Sequence, residues 1–201
     1  MNSKRIDKLI KFLKEIEKFK LIERQTYLSS FRQENDAEHS WHVALFVILF
    51  EKDFPGLDMA KMLKMALIHD LVEIYAGDTF SFDNEAVKSK DQREQKAAKK
   101  LFGMLPNDLK KEFHHLFREY DDRKTREALY TQSFDKLLPV VQNLLSHGKA
   151  WREYHITEKN VNDHKLRYHR FDKKMLSIFK KLISEVSQKK YFGKESNARQ
   201  K

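Results

Sequence analysis

The segment DMAKMLKMALIHDLVEIYAGD, residues 58–78, decides the fold class of this chain. Its apolar residues recur at helical spacing, and no glycine or proline interrupts them before Gly77, so the segment predicts a helix. His69, Asp70 and Glu73 then share one face, because residues three and four positions apart are neighbours on a helix. Burying these polar groups in an apolar helix is costly unless they are paired or bind a metal. Taken alone, the group fits a satisfied His–Asp pair as well as a metal site.

The scarcity of glycine and proline extends along the whole chain, with 5 glycines and 3 prolines in 201 residues. Long periodic segments therefore predict an all-α fold, a bundle of about six to seven helices. Residues 21–35 are expected to be irregular or to form a short helix and a loop. The helices are expected at about 4–20, from Asn35 or Asp36 to just before Pro55, then at 58–75, 84–102, 107–119 and 125–148, and from Thr157 to about 190.

Length and composition predict one domain over residues 1–190 and a flexible basic tail over 191–201. No apolar run reaches the roughly 20 residues that a membrane span requires. The absence of cysteine excludes disulfides and thiolate metal sites, and it fits a cytoplasmic protein. The net charge of +10 attracts anions. Because the lysines are scattered among acidic residues, a nucleic-acid partner is not expected.

Two further residues complete a set of candidate metal ligands. His39 opens a predicted helix just ahead of the apolar run Val43–Phe50, and Asp135 lies in the middle of another. With His69 and Asp70 they offer two imidazoles and two carboxylates from three helices. Such ligation suits a divalent transition metal, Mn, Co, Fe, Ni or Zn, and four protein ligands leave positions open for water and a phosphate oxygen. Trp41, two residues after His39, is expected in the hydrophobic core.

The order His39, then His69-Asp70, then Asp135 resembles the HD-domain metal-dependent phosphohydrolases. The resemblance is closer to their 5'-deoxynucleotidase-like branch, because residues 34–40 and 69–78 also look like that branch's two ligand segments. It covers about Leu9–Leu145, roughly two-thirds of the chain.

This resemblance implies roles for further residues. Glu73 and Asp78 would be catalytic, Arg24 and Asp78 would bind substrate, and Arg24 would contact phosphate. From chemistry alone, Glu73 is a candidate general base or acid beside a metal-bound water, and the alternative is that it is a partner of His69. The branch often carries an aromatic residue directly after the arginine, whereas this chain has Gln25, which leaves base and sugar specificity open. The branch also implies a homodimer.

The activity that follows is a metal-dependent 5'-nucleotidase, which hydrolyses (deoxy)ribonucleoside 5'-monophosphates to nucleoside and phosphate. Two alternatives stay open. One is an HD-family hydrolase of another phosphate ester, a phosphodiester or an alarmone. The other is a basic helical nucleic-acid-binding protein whose metal is structural. No glycine-rich phosphate loop is present, which excludes P-loop and dinucleotide-binding proteins.

Overall fold

The computed structural model describes residues 3–194, and they form two compact units. The first unit comprises the residues up to Arg24 together with Asn35–Thr131. The second comprises Gln25–Glu34 together with the residues from Gln132 onward. The predicted all-α class is confirmed, since helices account for nearly all regular structure in both units. No helix among the described residues is both long and apolar enough to cross a membrane.

The first unit is built from helices that pack around one apolar core. Helix α2 packs against α3, α3 against α6, and α5 against both α4 and α6. The core centres on side chains such as Met65, Leu101, Phe102 and Phe117, all almost fully buried. The elements are α1 (Ser3–Ile16), a 3₁₀ turn (Glu17–Leu21), α2 (Asp36–Leu49), a 3₁₀ turn (Glu51–Asp53), α3 (Met59–Ile68), α4 (Glu73–Ala76), α5 (Asn84–Phe102) and α6 (Asn107–Asp122).

The second unit combines helices with most of a β-hairpin. Tyr27 connects the two, because its hydroxyl donates to Glu153 over 2.9 Å and its ring lies 3.6 Å from the ammonium of Lys149. The elements are the paired strands β1 (Glu23–Tyr27) and β2 (Gln33–Asn35), then α7 (Arg126–Leu145), α8 (Lys149–Glu153), α9 (Glu158–Lys165), a 3₁₀ turn (Leu166–Tyr168) and α10 (Lys173–Gln188). Residues 23, 24 and 35 of the strands and residues 126–131 of α7 belong to the first unit.

Polar side chains fix the helix starts that the sequence predicts. Asn35 accepts from the backbone N–H of Glu38, and the Glu38 carboxylate accepts from that of Asn35, which forms a capping box ahead of α2. Asp83 caps α5 by accepting from the backbone N–H groups of Glu85 and Ala86, and Thr157 forms a capping box with Asn160 ahead of α9. These three expected starts are confirmed.

Three expected elements differ from the structure. Residues 23–35 form a hairpin, not an irregular segment or a short helix, and its turn places Phe31 in the left-handed region at φ 62°. The helix expected over 58–75 is interrupted between Ile68 and Glu73. The helix expected from Thr157 to about 190 is also divided, because the Asp172 side chain caps a new helix start by accepting from Lys174 and Met175 N–H groups. These divisions raise the number of helices above the expected six to seven.

The segment after α10 begins with packed residues. The N–H of Tyr191 donates to Val186, the ring of Phe192 stacks on Trp151 at 5.0 Å, and the N–H of Gly193 donates to Ile156. Only glycine fits at 193, because a Cβ there would lie 2.3 Å from the Trp151 carbonyl oxygen. The remainder of the predicted tail, residues 195–201, lies outside the described residues.

Candidate metal centre

Two imidazoles and a carboxylate of the first unit point at a common position. His39, in the first turn of α2, and His69, directly after α3, are buried, and their ring centroids are 5.9 Å apart. Asp70 Oδ2 lies 3.1 Å from His69 Nε2 and 3.9 Å from His39 Nε2. One ligand atom from each residue lies within 4.8 Å of the other two. The structure therefore brings together three of the four predicted metal ligands.

The protonation of His69 indicates what belongs at this position. His69 Nδ1 lies 2.9 Å from the carbonyl oxygen of Ala66, which can only accept, so Nδ1 carries the proton. In the neutral ring Nε2 then presents a lone pair towards Asp70 Oδ2. Two electron-rich atoms at 3.1 Å repel unless a proton or a cation joins them. A backbone acceptor on the far nitrogen is the usual partner of a metal-binding histidine, so the three residues fit a divalent metal.

The interruption between α3 and α4 sets the direction of Glu73. The N–H of Leu71 donates to Ile68 and that of Glu73 to Asp70, which is the i→i+3 pattern of a 3₁₀ turn. Side chains three residues apart eclipse in such a turn, whereas in an α-helix they are offset. The Glu73 carboxylate therefore lies over Asp70, and these two and Asp36 each place an oxygen within 4.8 Å of the other two.

Arg24 lies at the centre of this carboxylate group. Its Nη1 lies 2.9 Å from Asp36 Oδ1, 3.1 Å from Asp70 Oδ2 and 3.8 Å from Asp78 Oδ1. Only 12% of its side chain is exposed. Burial by itself lowers the pKa of the guanidinium, but Asp78, Asp70, Asp36 and Glu73 outweigh this and raise it well above its ordinary value. Arg24 therefore stays charged beside the candidate metal ligands.

The buried carboxyls around this site outnumber the one arginine, which disfavours their charged forms. Burial raises the pKa of Asp36 to about 6, although Arg24 opposes this effect. Burial also raises the pKa of Glu73 well above its ordinary value, and Asp70, Asp36 and Asp78 add to the shift. Asp36 and Glu73 are close enough to share a hydrogen bond when one of them is protonated, whereas as carboxylates Asp36 Oδ2 and Glu73 Oε2 have no donor among the described residues. A further cation would stabilise this set, which agrees with the donor geometry of the histidines.

Asp78 reaches the site from the loop after α4. Gly77 ends that helix, as the sequence predicts, and adopts φ 75° and ψ 150°, a conformation open to glycine. No atom lies within 4 Å of a Cβ built there, so the backbone conformation is what requires glycine. The side chain of Asp78 is only 12% exposed and faces Arg24. Arg24, Glu73 and Asp78 thus gather around the ligands as the sequence predicts, and their chemical roles remain proposals.

Asp135, the fourth predicted ligand, belongs to the second unit. It lies in α7, is almost fully buried, and its Oδ2 is 2.7 Å from the ammonium of Lys136. Its role as a ligand stays a prediction.

Asp36 is the site residue that sequence reasoning missed, because it was considered only as a helix cap. It is fully buried and holds Arg24 directly. A signal was available, since Asp36 precedes His39 by three residues and so shares a face of the same helix.

Comparisons with known proteins agree with this geometry. The sequence profile of the HD domain matches residues 16–178. The chain is 29% identical to 5'-deoxynucleotidase HDDC2 of Homo sapiens over 136 residues, which cover 67% of this chain and 66% of that protein. It is 30% identical to the protein of the same name in Dictyostelium discoideum over 141 residues, which cover 66% of this chain and 74% of the relative.

A solved structure matches over nearly the whole chain. It is a crystal structure from Magnetospirillum magnetotacticum MS-1, named a predicted metal-dependent phosphohydrolase, with a TM-score of 0.87 and 36% sequence identity. The match covers 95% of this chain and 100% of that one. With the HD domain profile covering most of the sequence and the histidine–aspartate group in place, the chain belongs to the HD domain family.

Proposed function

We propose that this chain is a metal-dependent phosphohydrolase that releases phosphate from deoxyribonucleoside 5'-monophosphates. The observation that carries the proposal is the convergence of His39, His69 and Asp70, with Arg24 3.1 Å from the aspartate. Relatives named 5'-deoxynucleotidases support the substrate class. Asp135 is retained as the fourth ligand on the sequence pattern alone.

Each group around the site has a distinct task in this proposal. A bound divalent metal would act as a Lewis acid and would make water a better nucleophile at neutral pH. Arg24 supplies fixed positive charge beside the ligands, where the charge of a phosphate ester must be stabilised. Glu73, whose carboxylate lies beside that of Asp70, is the proposed general base or acid that moves a proton to or from the reacting groups. Asp78 faces Arg24 and would contact the sugar, as the family resemblance implies.

Two features bear on which metal and which substrate the site takes: the chemistry of the ligand atoms and the residue that follows Arg24. Nitrogen and oxygen ligands suit Mn, Co, Fe, Ni or Zn. Gln25 occupies the position where the branch often has an aromatic residue, and the Tyr154 hydroxyl donates to its side-chain oxygen. A hydrolase of another phosphate ester, such as a phosphodiester, therefore stays the second candidate.

A homodimer is part of the proposal, and the outer face of α2 supports it. Trp41, which was expected in the core, is instead 60% exposed, and Ile48 and Leu49 are also exposed. These residues fall within one third of the helix circumference. Leu67 of α3, the helix that packs against α2, is also exposed. An apolar face of this kind is typical of a protein–protein contact. With no cysteine in the chain, the cytoplasm is the proposed location.

A substrate panel tests the activity. The full chain is stripped of metal with a chelator, reloaded with Mn²⁺ or Co²⁺, and assayed for phosphate release. The panel holds deoxyribonucleoside and ribonucleoside 5'-monophosphates, a 3'-monophosphate and bis(p-nitrophenyl)phosphate. We expect release from the 5'-monophosphates only with metal, and none by Asp70→Asn. Turnover of the diester alone would favour the second candidate, and salt-sensitive nucleic-acid binding without any hydrolysis would favour a structural metal.

A further inference from the structure

One arginine of α5 contacts the chain on both sides of Asp78, at a backbone carbonyl and at a side-chain hydroxyl. Arg93 Nη1 donates to the carbonyl oxygen of Ala76, the last residue of α4, and Nη2 donates to the hydroxyl of Thr79 over 2.8 Å. Asp78 lies between these two contact points along the chain. The contacts therefore bracket the loop that carries a proposed substrate-binding group.

The remaining donors of Arg93 keep the guanidinium on its own helix. Nη2 also donates to the carbonyl of Ala86 over 3.3 Å, and Nε donates to the hydroxyl of Ser89 over 3.2 Å. Both acceptors belong to α5, whose start is capped by Asp83. The fork of an arginine can make these contacts at once because its donors are planar and fixed, which a lysine ammonium cannot reproduce.

Arg93 adds to the other contacts of this loop, which include the hydrogen bond from Gly77 N–H to Glu73 and the approach of Asp78 to Arg24. Gly77 has no Cβ and the largest conformational freedom of any residue, so ordering it costs more entropy than ordering other residues. The carbonyl of Ala76 ends a helix, where carbonyls lack partners within the helix, and Arg93 satisfies it. Thr79 is 6% exposed, so its hydroxyl also requires a partner.

We propose that Arg93 is a positioning residue for the hydrolysis: it fixes residues 76–79 so that the Asp78 carboxylate faces Arg24. The distance that depends on it is the 3.8 Å between Asp78 Oδ1 and Arg24 Nη1. The inference rests on the proposed function, since positioning matters only where Asp78 and Arg24 bind substrate. It does not involve the metal ligands, so metal binding should be independent of Arg93.

The decisive variant is Arg93→Lys, which keeps the charge and removes the fork. Arg118→Lys is the matched control, because Arg118 also lies on a helix of the first unit and its Nε donates only within that helix, to His114. Hydrogen exchange of the metal-free proteins is measured first. We expect amides of residues 77–80 to exchange at least tenfold faster in Arg93→Lys and unchanged in Arg118→Lys.

Kinetics of the metal-loaded proteins then distinguish a misplaced Asp78 from a general disruption of the folded site. We expect kcat/KM for a 5'-monophosphate to fall by at least about tenfold in Arg93→Lys, as for a misplaced group, while Mn²⁺ affinity by calorimetry stays within twofold. Thr79→Val removes one contact and should give a smaller change in the same direction, which also covers a poorly folding Arg93 variant.

Three outcomes would overturn the inference: unchanged exchange in Arg93→Lys, unchanged kcat/KM, or a loss of Mn²⁺ affinity as large as the loss of activity. Inactivity of the wild-type protein would refute the proposed function instead. In that case the exchange data still decide whether Arg93 holds the loop.

Discussion

Arg24 Nη1 lies 2.9 Å from Asp36 Oδ1, so the first turn of the helix that carries His39 also holds the guanidinium. We expect Asp36→Asn to weaken this hold and to lower kcat/KM for 5'-monophosphates by about 10- to 100-fold. Mn²⁺ content should change less than kcat/KM, because Asp36 is not a proposed ligand although its carboxylate lies beside that of Asp70. Steady-state kinetics and metal analysis check both points. The matched control is Asp108→Asn, since Asp108 pairs with Arg5 at the surface and such exposed pairs contribute little. Equal effects of the two substitutions would contradict the assignment.

The histidine pair is tested by metal binding without any assay of activity. We expect His39→Ala and His69→Ala each to abolish stoichiometric Mn²⁺ binding and the rise in Tm that Mn²⁺ gives the wild-type protein. At about 100 times Kd, a bound ligand stabilises a protein by roughly 2.7 kcal/mol, which is readily seen in thermal unfolding. His115→Ala is the control, since His115 is exposed on α6 and contacts Glu119. Wild-type metal content in either ligand variant would argue against the site.

Asp135 requires its own test because only the sequence pattern assigns it. If it is the fourth ligand, Asp135→Asn should lower Mn²⁺ affinity by at least about tenfold, since loss of a mere hydrogen-bond partner of a ligand already costs about 10- to 100-fold. Calorimetric titration measures this, with Asp122→Asn as the control, because Asp122 is exposed and pairs with Lys124. An unchanged affinity would leave His39, His69 and Asp70 as the full protein ligand set.

Glu73 is expected to act in the chemical step. Glu73→Gln keeps the size of the side chain and removes its capacity to transfer a proton. We expect kcat to fall by about 10²- to 10⁴-fold with little change in KM or in bound metal. Single-turnover phosphate release would measure the step directly. A variant that lost metal instead would assign Glu73 to the ligand set or to the support of His69.

Because of Tyr27, we expect the folded protein to lose stability at alkaline pH. Burial, together with the hydrogen bond to Glu153, raises the pKa of Tyr27 to about 12 from an ordinary value of 10.0. A raised pKa means that the neutral phenol is favoured in the folded protein. Its contribution is complete below pH 10 and is lost as pH rises towards 12. Urea unfolding across this window should show a steeper decline for the wild-type protein than for Tyr27→Phe. Parallel declines would contradict this.

Local signals made most helices of the fold predictable. Caps such as Asn35 and Asp83 act within one turn, so their effect is visible in sequence. The hairpin over 23–35 was not predicted, because its strands are short and polar. They depend on contacts distant in sequence, such as the hydrogen bond from Tyr27 to Glu153. Apolar periodicity likewise did not reveal the end of α3 at Ile68, since apolar residues continue through the interruption.

The candidate site was predictable to a similar extent. His39, His69 and Asp70 could be chosen by residue type and order, and the structure brings them together. The contact of Asp36 with Arg24 depends on where β1 begins relative to α2. That relation arises from tertiary packing, which spacing along the chain does not report.

The 3₁₀ turn between α3 and α4 limits how residues 69–73 could be grafted onto another protein. On a straight α-helix, three residues turn about 300° and leave side chains about 60° apart. Engineering His-Asp-x-x-Glu into an ordinary helical scaffold would therefore separate the two acidic groups that stack here. A design that reuses this sequence motif would also have to reproduce the 3₁₀ backbone conformation of the segment.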